Sequence, residues 1–188
     1  MVIGVVLAGG ASSRMRGVNK AEIIFEEQTL VARAVMRLSE QVSEVCLSAN
    51  QNYGLENPYF TDIGNGTEGP LAGVYSALSW VSENRPSAKA ILTVPVDAPF
   101  FPYDLAEKLA MPALTAFKPA LAQTNDGLQP TFACWPLSVL PALDTHMKKG
   151  EAGSLRNFAK KMGARNIIFT DPQKFYNINS QEDLDKLL

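Results

Sequence analysis

Short apolar runs rich in Val and Ile alternate along the chain with stretches whose apolar residues recur at helical spacing. Strands buried on both faces read as continuous apolar runs, whereas the helices that cover them keep one apolar stripe. The alternation therefore predicts β-α-β units around a largely parallel sheet, and the class is α/β. Strands are expected at Ile3–Leu7, Val45–Ser48, Tyr59–Ile63, Ala90–Val96 and Ile167–Phe169, with an antiparallel addition around Pro130–Cys134. Leu30, Ala34, Val35 and Leu38 lay a helix over the segment from Thr29 to Glu40. Pro70, at a first helical position where its missing N–H costs nothing, starts another through Leu71, Val74, Leu78 and Val81. A further helix is expected near Leu105. Ser180, with Asp183 three residues on, makes a capping-box start for a terminal helix ending in Leu187 and Leu188.

A chain of 188 residues can bury an adequate core as one domain, 1–188, without disulfides or a structural metal; no repeat, low-complexity tract or linker divides it. Its 46% hydrophobic and 19% charged residues, of both signs, describe an ordinary globular protein. A formal net charge of -2 gives the molecule as a whole no electrostatic reason to seek nucleic acid or an anionic membrane, so any anion site must be local. Cys46 and Cys134 have no metal-spaced partners and read as free thiols of a reducing, cytoplasmic compartment. The apolar start from Val2 to Ala8 follows no Lys or Arg and is too short to span a bilayer, so it reads as the first strand and not as a signal peptide.

Candidate chemistry concentrates directly after that strand, in Leu7-Ala8-Gly9-Gly10 and the run through Ser12, Ser13, Arg14 and Arg16 to Lys20. Gly9 and Gly10 can take positive φ and carry no Cβ, which lets successive backbone N–H groups turn toward an anion and approach it closely. The serines add hydroxyl donors, the basic residues add charge, and no Asp or Glu occurs before Glu22. The loop is thus a positive pocket on a slightly acidic protein, although its spacing is not that of an ordinary P-loop.

Asp97 ends the apolar run from Ala90 to Val96. Ligands of open α/β sheets bind beyond the carboxyl ends of the strands, so this carboxylate is expected in the same cleft as the loop. There a hard oxygen ligand suits Mg²⁺ bridged to substrate phosphates; capping the turn before Pro99 is the alternative role. Asp62 ends another expected strand. Gly64-Asn-Gly-Thr-Glu-Gly69 formally matches the dinucleotide fingerprint, but it is not in the first β-α-β unit, and Glu83 and Asp97 fit the ribose-binding acid poorly. Asp62 and Gly69-Pro70 are expected to wall a nucleotide site instead. His146, the single histidine, has no acid or nucleophile at an informative position, and Trp80 and Trp135 read as core residues.

Together these segments resemble the molybdenum cofactor guanylyltransferases, the MobA family. The resemblance covers most of the chain. It rests on Leu7-Ala-Gly-Gly10 with Ser13-Arg-Met15 and Lys20, Gly69-Pro-Leu-Ala-Gly73, Val96-Asp-Ala-Pro-Phe100, Gln129-Pro130, and Asn177-Ile-Asn-Ser180 with Glu182-Asp-Leu184. It implies a Rossmann-like three-layer nucleotidyltransferase fold with a mostly parallel sheet, its N-terminal half binding the nucleotide and its C-terminal half the acceptor. GTP and molybdopterin would be the substrates, pyrophosphate a product, and Mg²⁺ the cofactor, held by Asp97. On the same resemblance Arg14, Lys20 and Asp97 are the catalytic candidates. Leu7, Ala8, Gly9, Gly10, Ser13, Lys20, Ser48, Asn50, Asp62, Gly69 and Asp97 would bind the nucleotide, and Gln129, Asn177 and Asn179 the acceptor. Transient contact with proteins that deliver the cofactor or receive it would fit such a role.

Three departures bear on this. The family usually reads Arg-Met-Gly and then Asp-Lys, whereas here Arg16 follows Met15 and Asn19 precedes Lys20. Asn can replace the acid if it only orients the loop by hydrogen bonding, but not if its charge balances Lys20 or a metal. Ser48 stands where the family has Asn near the guanine, with Asn50 placed to compensate. Asn177 and Asn179 fit turn and cap roles as well as an acceptor site. Cytidylyltransferase relatives commonly carry Ala-Ala-Gly where this chain has Ala8-Gly9-Gly10, so Gly9 is expected to leave room for a two-ring base. The rival readings are a related CTP- or sugar-phosphate nucleotidyltransferase, which the first loop permits equally, and a nucleotide-binding module with weak turnover.

Overall fold

The computed structural model describes residues 1–9, 14–15, 18–63, 69–149, 154–179 and 183–184, with only the backbone for 14, 15 and 18. Seven strands form one sheet: β1 (Val2–Leu7), β2 (Val45–Ser48), β3 (Tyr59–Phe60), β4 (Ala90–Pro95), β5 (Ala120–Thr124), β6 (Gly127–Pro136) and β7 (Arg165–Ile168). Their order is β7-β5-β6-β4-β1-β2-β3. β1 pairs in parallel with β2 and β4, β2 with β3, and β7 with β5. β6 alone runs antiparallel, against both β4 and β5. The sheet is therefore mostly parallel.

The helices are α1 (Leu30–Ser39), α2 (Pro70–Asn84), α3 (Leu105–Ala116), α4 (Leu140–Lys148) and α5 (Leu155–Lys161). Because side chains alternate along a strand, β1 feeds two cores. Val6 joins Leu38 of α1 and Leu109 of α3 on one face. Ile3 and Val5 join Leu78 of α2, Leu143 of α4 and Phe158 of α5 on the other. Gly4 is what lets α1 lie directly on the sheet: a Cβ there would stand 2.7 Å from a methyl of Leu38. α1 starts where expected, with Thr29 Oγ accepting from the Ala32 N–H at 3.3 Å.

Several expectations shift in detail. The third strand stops at Phe60, not Ile63, because the Ile63 N–H donates to Ser76 Oγ at 2.7 Å and draws the chain toward α2. The antiparallel addition is longer, running from Gly127 to Pro136, and its ladder with β5 shifts register between Gln129 and Ala133, the stretch that holds Pro130. β5 and α5 are elements the periodicity did not reveal. The terminal helix is seen only at 183–184; Ser180, Glu182, Leu187 and Leu188 lie outside the described residues, as does 64–68 of the glycine-rich stretch.

Trp135 is fully buried and donates to Thr93 Oγ at 3.2 Å, and Trp80 stacks on Phe60 with centroids 5.3 Å apart. His146 is buried on α4 against Phe158. Burial pushes the free thiols of Cys46 and Cys134 up to about 12, so both stay protonated at neutral pH. Among the described residues no helix is long and apolar enough to cross a membrane.

Candidate active site

The chain passes from β1 through α1 to β2 on one side, then from β3 through α2 to β4 on the other side of β1. That reversal opens a crevice at the carboxyl ends of the strands, the place where open α/β sheets bind ligands. A cleft of about 210 Å³ lies there, lined by Leu7, Gly9, Ser48, Asp62, Gly69, Pro70, Gly73, Pro95, Val96, Asp97, Thr131 and Asn177. Backbone bonds fix its floor: Ala8 N–H to the Ser48 carbonyl at 2.9 Å, Val96 N–H to the Leu7 carbonyl at 3.1 Å.

One wall carries an ion pair. Lys20 Nζ donates to Asp97 Oδ2 at 2.9 Å and to Asn179 Oδ1 at 2.7 Å, although 77 and 159 residues separate the lysine from these partners. The lysine is only 7% exposed, a position an ammonium tolerates because both contacts compensate its lost hydration. Lys20 sits on a short 3₁₀ turn, Lys20–Glu22, whose cap is Asn19: its Oδ1 accepts from the Ala21 N–H at 3.1 Å. The Asn19 amide then donates to the Tyr53 hydroxyl at 3.1 Å, and that hydroxyl donates to the Ala8 carbonyl at 3.5 Å. Tyr53 thus ties together the chain before and after the glycine-rich loop. Asn19 orients by hydrogen bonding, and the charge of Lys20 is balanced by Asp97.

Another wall centres on Asp62. Ser48 Oγ donates to Asp62 Oδ1 in a short bond of 2.5 Å. A Cβ on Gly9 would stand 3.0 Å from Asp62 Oδ2 and 3.4 Å from the Ser48 carbonyl, and a Cβ on Gly73 of α2 would stand 3.4 Å from Ser48 Oγ. Gly73 is a feature of this wall that the motif contained but periodicity did not single out: a glycine inside a helix, kept where a side chain would press on Ser48 and Leu7.

Gly9 does not use the positive φ that is open to a glycine. Its value lies in the missing side chain, because the Asp62 carboxylate occupies the space a methyl would take. Gly9→Ala should displace Asp62 from Ser48, and kcat/KM is expected to fall about tenfold for a purine nucleoside triphosphate and less for a pyrimidine one, because the added methyl narrows the space beside that carboxylate. Equal losses for both nucleotides, measured side by side, would instead indicate general distortion of the loop.

The remaining candidates are scattered. Ala8 is buried beneath the cleft, Asn50 is exposed and outside its lining, and Gln129 on β6 contacts Thr124 at 3.4 Å, two residues from the lining Thr131. Asn177 lines the cleft, whereas Asn179 meets Lys20. Arg14 is described only in its backbone, paired with Asn19 in a two-residue hairpin; Gly10, Ser12, Ser13 and Arg16 lie outside the described residues. The C-terminal segment reaches the site through a small cluster in which Ile178 and Leu184 pack on Phe25 and Leu30. This long-range approach is what sequence spacing could not show.

A mostly parallel sheet with its cleft at the strand ends is the architecture of a ligand-binding α/β protein, and the family match below makes this one a nucleotidyltransferase. Residues 4–165 match the MobA-like NTP transferase domain, and the chain belongs to that family. It is 35% identical over 195 residues to the molybdenum cofactor guanylyltransferase of Sinorhizobium fredii, covering 97% of this chain and 88% of the relative. In fold it resembles the molybdopterin-guanine dinucleotide biosynthesis protein A of Archaeoglobus fulgidus, with TM-score 0.74, 17% identity, and 99% of this chain and 96% of that one covered. It also resembles the 4-diphosphocytidyl-2C-methyl-D-erythritol synthase of Anaerococcus prevotii, with TM-score 0.70, 13% identity, and 98% and 95% covered.

Proposed function

We propose that this chain is a molybdenum cofactor guanylyltransferase, which moves GMP from GTP onto the phosphate of molybdopterin. The fold is shared with a cytidylyl enzyme and does not choose the base; the observation that carries the choice is Asp62 in the cleft wall, held by Ser48. An ionised carboxylate only accepts hydrogen bonds, and guanine offers it two adjacent donors, N1–H and the 2-amino group, where cytosine offers only its 4-amino group.

An oxygen of the acceptor's terminal phosphate attacks the α-phosphorus of GTP in line. The new P–O bond forms as the bond to the bridging oxygen of the β-phosphate breaks, and pyrophosphate leaves with the electron pair. A phosphate monoester is already a nucleophilic anion near neutral pH, so no protein base or covalent intermediate is required. The task of the protein is to cancel charge and hold two anions in register. Lys20 has three donors, two of them engaged by Asp97 and Asn179, which leaves one for a phosphate oxygen.

Asp97 would hold magnesium. Mg²⁺ suits a single strand-end carboxylate because it is content with one or two carboxylates, substrate phosphates and water. When bound it supplies charge neutralisation at the reacting phosphates. The N-terminal half would hold the nucleotide and the segment around Gln129, Asn177 and Asn179 would face the acceptor. Two buried thiols suit a reducing cytoplasm, where the product would pass to a receiving protein.

A pyrophosphate-release assay over four nucleoside triphosphates tests the reading. Release is expected with GTP only, and only when molybdopterin and Mg²⁺ are both present. Equal release with CTP, or none with any nucleotide, would replace it with one of the rival readings.

A further inference from the structure

Lys20 is aimed by a segment from the far end of the chain, and that segment is itself clasped. The Asp183 carboxylate bridges two groups: its Oδ1 accepts from the Tyr176 hydroxyl at 2.7 Å and its Oδ2 from the Asn179 N–H at 2.8 Å. Between them the Ile178 N–H donates to the backbone carbonyl of Asp97 at 2.7 Å, and the Ile178 side chain is fully buried. The clasp therefore closes over the strand end that carries Asp97. It sets the position of Asn179, a residue that is otherwise exposed yet meets Lys20 Nζ at 2.7 Å.

We infer that Tyr176 and Asp183 are positioning residues of the transferase, which act through Asn179 to hold the Lys20 ammonium toward the nucleotide phosphates. The inference rests on the reading of the cleft given above. Neither residue is among those lining the cleft; each reaches Lys20 only by way of Asn179. The physical reason for such a clasp is that an exposed Asn, on its own, would spend much of its time in other rotamers, and a lysine stem has four rotatable bonds to lose. Fixing the Asn backbone with a charge-assisted bond confines both. The bond to Asp183 raises the pKa of the Tyr176 hydroxyl above its ordinary value.

The test is a double-mutant cycle read by direct titration of GTP and GMP, which needs no acceptor and no turnover. Asp183→Ala and Asn179→Ala should each weaken GTP binding about tenfold and leave GMP within about twofold, because the lysine serves the outer phosphates. The double variant should bind GTP no worse than Asn179→Ala alone. Additive losses, or equal losses for GTP and GMP, would overturn the inference and leave Asp183 a merely structural residue. Tighter GTP binding by Asn179→Ala would overturn it in another way, by showing that Asn179 competes with phosphate for the lysine. If Asp183→Ala fails to fold, Tyr176→Phe removes a single oxygen and is read by the same cycle, with about a threefold loss expected. Preference for another nucleotide in the wild-type titration would sink the GTP reading and leave the cycle interpretable with that nucleotide.

Discussion

Asp97→Asn is expected to fold normally and to lower kcat by about 10³-fold. The substitution keeps the shape of the side chain. Its backbone carbonyl still accepts from Ile178, and an amide oxygen can still accept from Lys20, so the strand end and the clasp over it are preserved. What disappears is one negative charge, and two functions depend on it. The buried Lys20 loses its counter-ion, with side-chain exposures of 8% for the lysine and 22% for the aspartate. The proposed magnesium loses its protein carboxylate, so the concentration for half-maximal rate should rise steeply. Thermal melting, magnesium titration and pyrophosphate release separate the effects. A variant with wild-type rate and wild-type magnesium dependence would remove Asp97 from the mechanism.

The second large effect is expected at Lys20. Lys20→Met keeps the buried aliphatic volume and removes the charge, and should weaken GTP about 100-fold while leaving GMP within about threefold. The geometry motivates the contrast: the ammonium bridges Asp97 to Asn179 beside the cleft, and on the proposed reading its remaining donor would serve the phosphates that GMP lacks. Some stability should be lost too, because Asp97 would keep its charge beside an apolar stem, and breaking a partly buried pair costs more than the pair contributes. Titration calorimetry with both ligands, corrected for the fraction folded, is the measurement. Equal losses for GTP and GMP would place Lys20 at the nucleoside instead.

Much of this site is legible in the amino-acid sequence. The two residues that strand-end logic singles out, Asp62 and Asp97, line one cleft, because a parallel sheet delivers its strand ends to a common edge whatever their separation in the chain. The first loop stands out by composition, glycines and cations without an acid before Glu22. The strands of the parallel half are legible for the same local reason: a strand buried on both faces must be apolar throughout, as Ile3 to Val6 are apart from Gly4.

Tertiary structure decided the rest, and in each case the deciding contact is long-range. β5, Ala120-Leu-Ala-Gln-Thr124, has neither a β-branched apolar run nor a clean alternation to mark it; it is a strand because β6 and β7 pair with it on both edges. Gly9 reads as a flexible turn glycine, but its role is set by a carboxylate arriving from residue 62. Whether Asn19 can stand for an acid depends on Tyr53 and on the pairing of Lys20 with Asp97, and neither Tyr53 nor Asp97 is near it in the chain. Most of all, the union of Lys20 with Asn179, 159 residues apart, exists because Ile178 and Leu184 bury themselves against Phe25 and Leu30. Periodicity fixes what each segment is, since that depends on its own side chains facing water or core. Which carboxylate meets which lysine depends on how the segments pack, and that is a property of the whole chain.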